Sequence, residues 1–404
     1  MDISAQQHLQ GEILSESKVL ANKILNDIEQ EVANAEMHGL SEDYFKDLIS
    51  QVTGRLRSDL RSFFADLELV TDPDVIFHRT VLVKRLLEDF EYEVAMVINE
   101  SSGVPIELYN FIEYILLDLK QAGLNRPEYV LLQGRDLSTT NLSSGLLRLF
   151  ESFPRTKAII ESKYPFLHEI LLPPSLVRST VDWVFVVHEI GHIIENEFLK
   201  IIDSIYPGPA YADFSPEASV VKRLYSKEFQ ADAIATLLIG PVLVHRTIKS
   251  YYTREIRISP THPAWSERLA VMQEVLKRLK VEFGALSELI SGIPRETPLI
   301  QRSSIERLQE ILDATLSHFS EVQYKQTEAE LQYCRKRIES MNPYSGKITI
   351  LLNTAIDSKE KLLGKVSKKK QRESLERDFN YLLKDSIRLS YIRRIAEPLL
   401  LPPS

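Results

Sequence analysis

The stretch Val184–Phe198, VFVVHEIGHIIENEF, decides how this chain is read. Apolar side chains surround two histidines and a glutamate. An α-helix turns by about 100° per residue, so His188 and His192 stand one turn apart on one face. They can aim two imidazole nitrogens at a single point. Glu189 lies beside the first histidine, off their shared direction but within reach of a water at that point. The pentapeptide alone also arises by chance in ordinary helices, so its flanks matter. Trp183, Val184, Phe185, Val186, Val187, Ile190, Ile193 and Ile194 make the helix apolar almost all round. A His-Glu-His set buried there without partners would be costly, and a metal ion supplies the partner. An interior glycine costs a helix about 1 kcal/mol relative to alanine. Gly191 therefore points to another backbone or side chain packed close at that turn.

A catalytic zinc needs three protein ligands and an open position. The best third ligand lies in YSKEFQADAIATLLIGP (residues 225–241), where Glu228 and Asp232 are again four apart on an apolar helix. Two carboxylates on one face of such a helix repel each other and resist desolvation unless a cation faces them. Glu228 is assigned to the metal. Asp232 is expected to accept a hydrogen bond from the far nitrogen of a ligand histidine, fixing its tautomer. Glu195 and Glu217 are weaker rivals for the third position. The extended metzincin pattern is excluded, because Glu195 and Phe198 stand where it requires glycine and histidine. In SPTHPAWSERLAVM (residues 259–272), His262 could donate to the oxyanion of a tetrahedral intermediate. Arg268 could pair with a site carboxylate or hold the turn. Tyr206, Tyr211 and Tyr225 are alternative donors.

Taken together, His188-Glu189-Ile190-Gly191-His192, then Glu228-Phe229-Gln230-Ala231-Asp232, then Thr261-His262-Pro263 with Glu267-Arg268, resemble the gluzincin metallopeptidases. The pattern is most similar to the branch that holds the CAAX prenyl proteases and heat-shock membrane proteases. EFQADAIATLLIGP also resembles the corresponding helix of the ImmA/IrrE-type soluble peptidases. The resemblance covers roughly residues 165–275. It implies one Zn²⁺ per chain on His188, His192 and Glu228, with Glu189 as general base. It also implies Asp232 behind a ligand histidine and His262 lining the site. One departure is large: YVLLQG, VDWVFVV and AIATLLIGPVLV are the longest apolar runs, and all are too short to span a membrane.

The rest of the chain frames that region. Of its 404 residues, 44% are hydrophobic and 26% charged, the balance of a globular protein. The net charge of −8 is spread widely and marks no particular partner. One cysteine, Cys334, excludes an internal disulfide framework and a cysteine-rich zinc module. The N-terminus lacks a basic stretch followed by an apolar one, so no signal peptide is read there, and a cytoplasmic location is expected. Residues 5–36 form one helical stripe through Leu9, Ile13, Leu20, Ile24, Ile28 and Val32. Gly39 closes it, and Ser41 can cap the next helix. EYVLLQG (128–134) reads as a buried strand, and LHEILLPPSL (167–176) as an edge strand ending at a double proline. NLSSGLLRLFESF between them reads as a helix. Helical periodicity returns after SGIPRETP (291–298), through Ile305, Leu308, Ile311, Leu312, Leu316 and Phe319. The basic run KVSKKKQRE (365–373) lacks interleaved aromatics and reads as a solvated helix end, not a nucleic-acid surface.

The expected fold is mostly α, with a small α+β zincin-like catalytic core between helical N- and C-terminal regions. The expected regions are 1–125, 126–290 and 291–404. The expected activity is zinc-dependent peptide hydrolysis, with a peptide or protein substrate, no membrane insertion and no nucleic acid. EILLP (169–173) could pair with an extended substrate, and the helical arms could hold a protein partner or a second copy. The alternative is a catalytically silent helical interaction protein around a structural zinc.

Overall fold

The structure is a computed structural model. It describes residues 3–37, 42–121, 124, 126–205, 216–252, 263, 265–281, 313, 317 and 324–400. The chain is mostly α with one small three-stranded sheet. No helix among the described residues is long and apolar enough to cross a membrane. The chain divides into two compact units, residues 1–104 with 127–173, and residues 105–126 with 174–404. This grouping cuts across the three consecutive regions read from the sequence. Gly39, Ser41 and the stripe from Ile305 to Phe319 lie outside the described residues.

In the first unit, three long helices carry apolar stripes that meet. These are α1 (Ile3–Asn34), α2 (Glu42–Glu68) and α3 (Pro73–Ser102). Ile28, Phe45, Leu48, Val52, Leu56 and Phe90 are buried in their shared core. Asp72 caps α3, its carboxylate accepting from the Asp74 N–H at 2.9 Å, and Pro73 occupies the first turn, where its missing donor costs nothing.

Strand β1 (Glu128–Gln133), β2 (Ser138–Asn141), α5 (Leu142–Leu149), α6 (Pro154–Lys163) and β3 (Leu167–Leu172) follow. The sheet order is β1-β3-β2. β3 pairs in parallel with β1, Val130 opposite Glu169, and antiparallel with β2, Thr140 opposite Glu169. This corrects the edge-strand reading. Both edges of β3 are occupied, so EILLP has no open edge to offer a substrate. The double proline misled because Pro173 and Pro174 lie past the last paired residue, where no ladder donor is lost. β2 was missed because STTN has no apolar run. Its Thr140 hydroxyl donates to Glu169 at 2.8 Å, which satisfies a carboxylate buried in the central strand.

The second unit begins with α4 (Ile106–Gln121) and α7 (Pro174–Arg178), then a 3-10 turn at Thr180–Trp183. The long helices α8 (Val184–Ile205) and α9 (Pro216–Ile239) come next, then α10 (Pro241–Thr247), a π turn at Ile248–Tyr252 and α11 (Trp265–Arg278). The C-terminal helices α12 (Glu328–Glu339), α13 (Ile348–Gly364) and α14 (Lys369–Leu400) belong to the same unit.

The corner between α9 and α10 shows how they are joined. Gly240 has φ +73, and a Cβ there would lie 2.6 Å from the Tyr324 ring, so only glycine fits. Asn353 of α13 donates to the Ile239 carbonyl at 2.7 Å and accepts from the Val242 N–H at 2.7 Å. One amide thus pairs an orphan carbonyl at the end of α9 and an orphan N–H at the start of α10.

Two outcomes are expected from this fold. Asn353→Ala leaves both backbone groups unpaired and should lower unfolding stability by about 1–3 kcal/mol in a urea titration; an unchanged midpoint would show that the corner stands without α13. Burial pushes the His168 imidazole down to about 4 from 6.5. The unfolded chain then takes up a proton below about pH 6.5 that the folded chain refuses until about pH 4. Stability should fall across that window as pH drops, by up to about 1.4 kcal/mol per pH unit for this one group. His168→Gln should reduce the slope. His245 titrates over the same range, so part of the slope should remain.

Candidate metal centre

Helices α8 and α9 touch at one unusually close point. A Cβ on Gly191 would lie 2.8 Å from the Ala231 Cα and 3.0 Å from its carbonyl oxygen. Glycine on one helix and alanine on the other let the two backbones approach there. This is the reason for a glycine inside an otherwise apolar helix. The approach faces His188 and His192 on α8 toward Glu228 and Asp232 on α9.

His188 Nε2 lies 3.1 Å from His192 Nε2 and 3.4 Å from Glu228 Oε2, and His192 Nε2 lies 3.3 Å from Glu228 Oε1. Donor atoms on the three side chains all fall within 4.8 Å of one another, a group that can hold a metal ion. A tetrahedral ion with ligand bonds near 2.0–2.1 Å needs donor atoms about 3.3–3.4 Å apart. The two imidazole nitrogens stand 3.1 Å apart, near that edge length, and each lies 3.3–3.4 Å from a different oxygen of Glu228. His188 and Glu228 are buried, and His192 is half-buried.

Behind this set, Asp232 is fully buried, and its Oδ1 lies 3.0 Å from His188 Nδ1. A carboxylate can only accept, so Nδ1 carries the hydrogen and the lone pair of Nε2 faces the other donors. Arg268 of α11 grips the same carboxylate with two hydrogen bonds, Nε to Oδ2 at 2.7 Å and Nη2 to Oδ1 at 2.8 Å. Its Nη1 lies 3.1 Å from Glu228 Oε2, and its Nη2 lies 3.2 and 3.4 Å from the two ring nitrogens of His188. Trp265, one turn earlier on α11, lies under the guanidinium at 4.3 Å. Arg268 thus pairs with a site carboxylate, one of the two roles considered for it.

Burial and the Arg268 charge oppose a proton on His188, but Asp232 and Glu228 outweigh them, so without an ion His188 is held protonated above its usual range. Burial also works against charge on Glu228, but hydrogen bonds from that protonated His188 and from His192, with the His188 and Arg268 charges, hold its carboxyl far below the usual range. Burial likewise opposes ionisation of Asp232, and the Arg268 charge, then His188, more than reverse it. Burial disfavours charge on Arg268 too, yet Asp232, Glu228 and the charge of Glu189 together hold it protonated. Glu189, Glu228 and Asp232 are all buried around this one guanidinium. Were both histidines neutral metal ligands, three carboxylates would face one guanidinium, an excess a divalent cation would cancel; without an ion, the raised pKa of His188 lets its proton offset part of that excess.

His262, Tyr206 and Tyr211, and the side chains of Glu195, Glu217 and Tyr225, lie outside what the structure describes. Sequence reading missed two supporting residues. Trp265 could have been found from its spacing, three residues before Arg268 on one helix. Asp182, two residues before α8, accepts from Arg246 Nε of α10 at 2.8 Å and anchors the entry to the metal helix. That pair spans 64 residues, and no local pattern marks it.

Gly191→Ala should push α8 off Ala231 and lower stability by about 1–3 kcal/mol. Metal content at limiting metal should fall with it, because the same approach sets the donor spacing. Full occupancy in a destabilised Gly191→Ala protein would separate the helix contact from the site.

Comparison with known proteins adds no neighbour: no family model matches the chain, and no curated protein and no solved structure is detectably similar to it.

Proposed function

We propose that the chain is a zinc-dependent endopeptidase of gluzincin type, acting on peptide or protein substrates in the cytoplasm. The observation that supports this most is the triangle of His188, His192 and Glu228, with a buried carboxylate, Glu189, next to its first corner. A nitrogen-nitrogen-oxygen donor set of this size suits zinc, which would polarise a scissile carbonyl and lower the pKa of a water toward neutrality. Asp232 fixes His188 as the Nδ1–H tautomer, and Arg268 holds Asp232 in place. Glu189 accepts a proton from the attacking water on its carboxylate and hands it to the departing amine nitrogen. The oxyanion role of His262 rests on the Thr261-His262-Pro263 sequence alone.

One observation favours the alternative of a silent helical interaction protein. The Arg268 guanidinium already lies against Glu228 and His188, so the chain itself meets part of the charge demand. Metal analysis and a cleavage assay separate the two readings. Wild type should carry about one zinc per chain and Glu228→Ala far less. Glu189→Gln should keep the metal and lose at least ~100-fold in cleavage of an unfolded protein substrate. Undiminished cleavage by Glu189→Gln would refute the base; a metal-loaded wild type that cleaves no unfolded protein or peptide would favour the silent reading.

A further inference from the structure

A groove of about 360 Å³ lies in the second unit, between the end of α7 and the first half of α14. The metal centre makes no use of it. Three cations line it: Arg178, Arg377 and Lys384. None has a carboxylate partner among the described residues; the contact of Arg377 is with Ser374 Oγ at 3.4 Å. The groove also contains two carboxylates, of which Glu376 is engaged by a lysine beside it, while Glu373 is exposed and has only a distant lysine. Glu376 pairs with Lys359 at 2.5 Å, and Glu373 lies 4.0 Å from Lys369.

Two further features are those of a ligand site. Asn380 lines the groove, and its Oδ1 is buried with no hydrogen-bond donor. Tyr381, 61% exposed, also lines it. Guanidinium groups meet the oxygens of a phosphate with paired N–H donors, and an exposed ring offers a face to a flat ligand group. The volume lies within the range of small-molecule sites. Lys384 also reaches inward, its Nζ 5.9 Å over the buried ring of Trp183, the last residue of the turn that leads into α8.

We propose that this groove binds a phosphorylated small molecule, its phosphate held by Arg178, Arg377 and Lys384. The site is independent of the peptidase reading and needs no metal. Free phosphate compounds and nucleotides share the required chemistry, and Tyr381 distinguishes them. Isothermal titration calorimetry on the full chain at low salt, with AMP and with inorganic pyrophosphate as probes, tests the site. At least one probe should bind saturably at one per chain. Its affinity should fall at least tenfold in Arg178→Ala and in Arg377→Ala, both of which should keep the wild-type thermal midpoint because Arg178 and Arg377 are surface side chains. Tyr381→Ala should weaken AMP alone if the ligand is a nucleotide, and neither probe if the phosphate suffices. Absence of saturable binding by both probes would overturn the site. So would unchanged affinity in the Arg178→Ala/Arg377→Ala double variant, which would place the probe elsewhere, the metal centre included. Displacement of AMP by a single-stranded oligonucleotide at lower concentration would also overturn it, in favour of a nucleic-acid surface.

Discussion

The close approach of α8 to α9 at Gly191 and Ala231 is the constraint on which the rest of the second unit depends. Two helices separated by any larger side chain at that point would hold their polar groups too far apart to share one ion. Pressed together there, they gather two imidazoles and a carboxylate within reach of one ion. The apolar faces around the contact, Ile190, Ile194, Ala235 and Leu238 among them, exclude water from its flanks. That exclusion strengthens every charge interaction inside and makes an unbalanced charge there expensive.

The balance is supplied in layers. Asp232 sets the tautomer of His188, and Arg268 neutralises Asp232 and leans on Glu228. Trp265 holds the guanidinium from below. Removing any one member would leave a buried charge without its counterpart, which costs more than the pair itself contributes. The three carboxylates still exceed the single guanidinium. A divalent cation at the centre would take over that excess from the proton that Asp232 and Glu228 otherwise favour on His188.

The C-terminal helices are part of this arrangement rather than an appendage. Asn353 joins the ends of α9 and α10, Tyr324 covers Gly240, and Arg394 of α14 donates to Asp118 of α4 at 2.6 Å. Residues far along the chain therefore hold the helix that carries Glu228. The first half of α14 lines a groove of its own, so this end of the unit presents chemistry distinct from the candidate metal centre.

Sequence alone was enough for whatever depends on local periodicity. Four-residue spacing on apolar helices put His188 with His192 and Glu228 with Asp232 on common faces, and Gly191 announced a close neighbour. Tertiary structure decided what depends on pairing across the chain. β3 is central because β2, a polar strand invisible to hydrophobic pattern, covers its second edge. His168 and Glu169 are buried in adjacent positions of one strand because both faces of the sheet are covered. Arg268 could be suspected, but its bidentate hold on Asp232 exists only once α11 is docked. The reason is the same in each case: a helix face is written within one turn of chain, whereas a hydrogen-bond or ion-pair partner about thirty residues away or more leaves no mark in the local pattern.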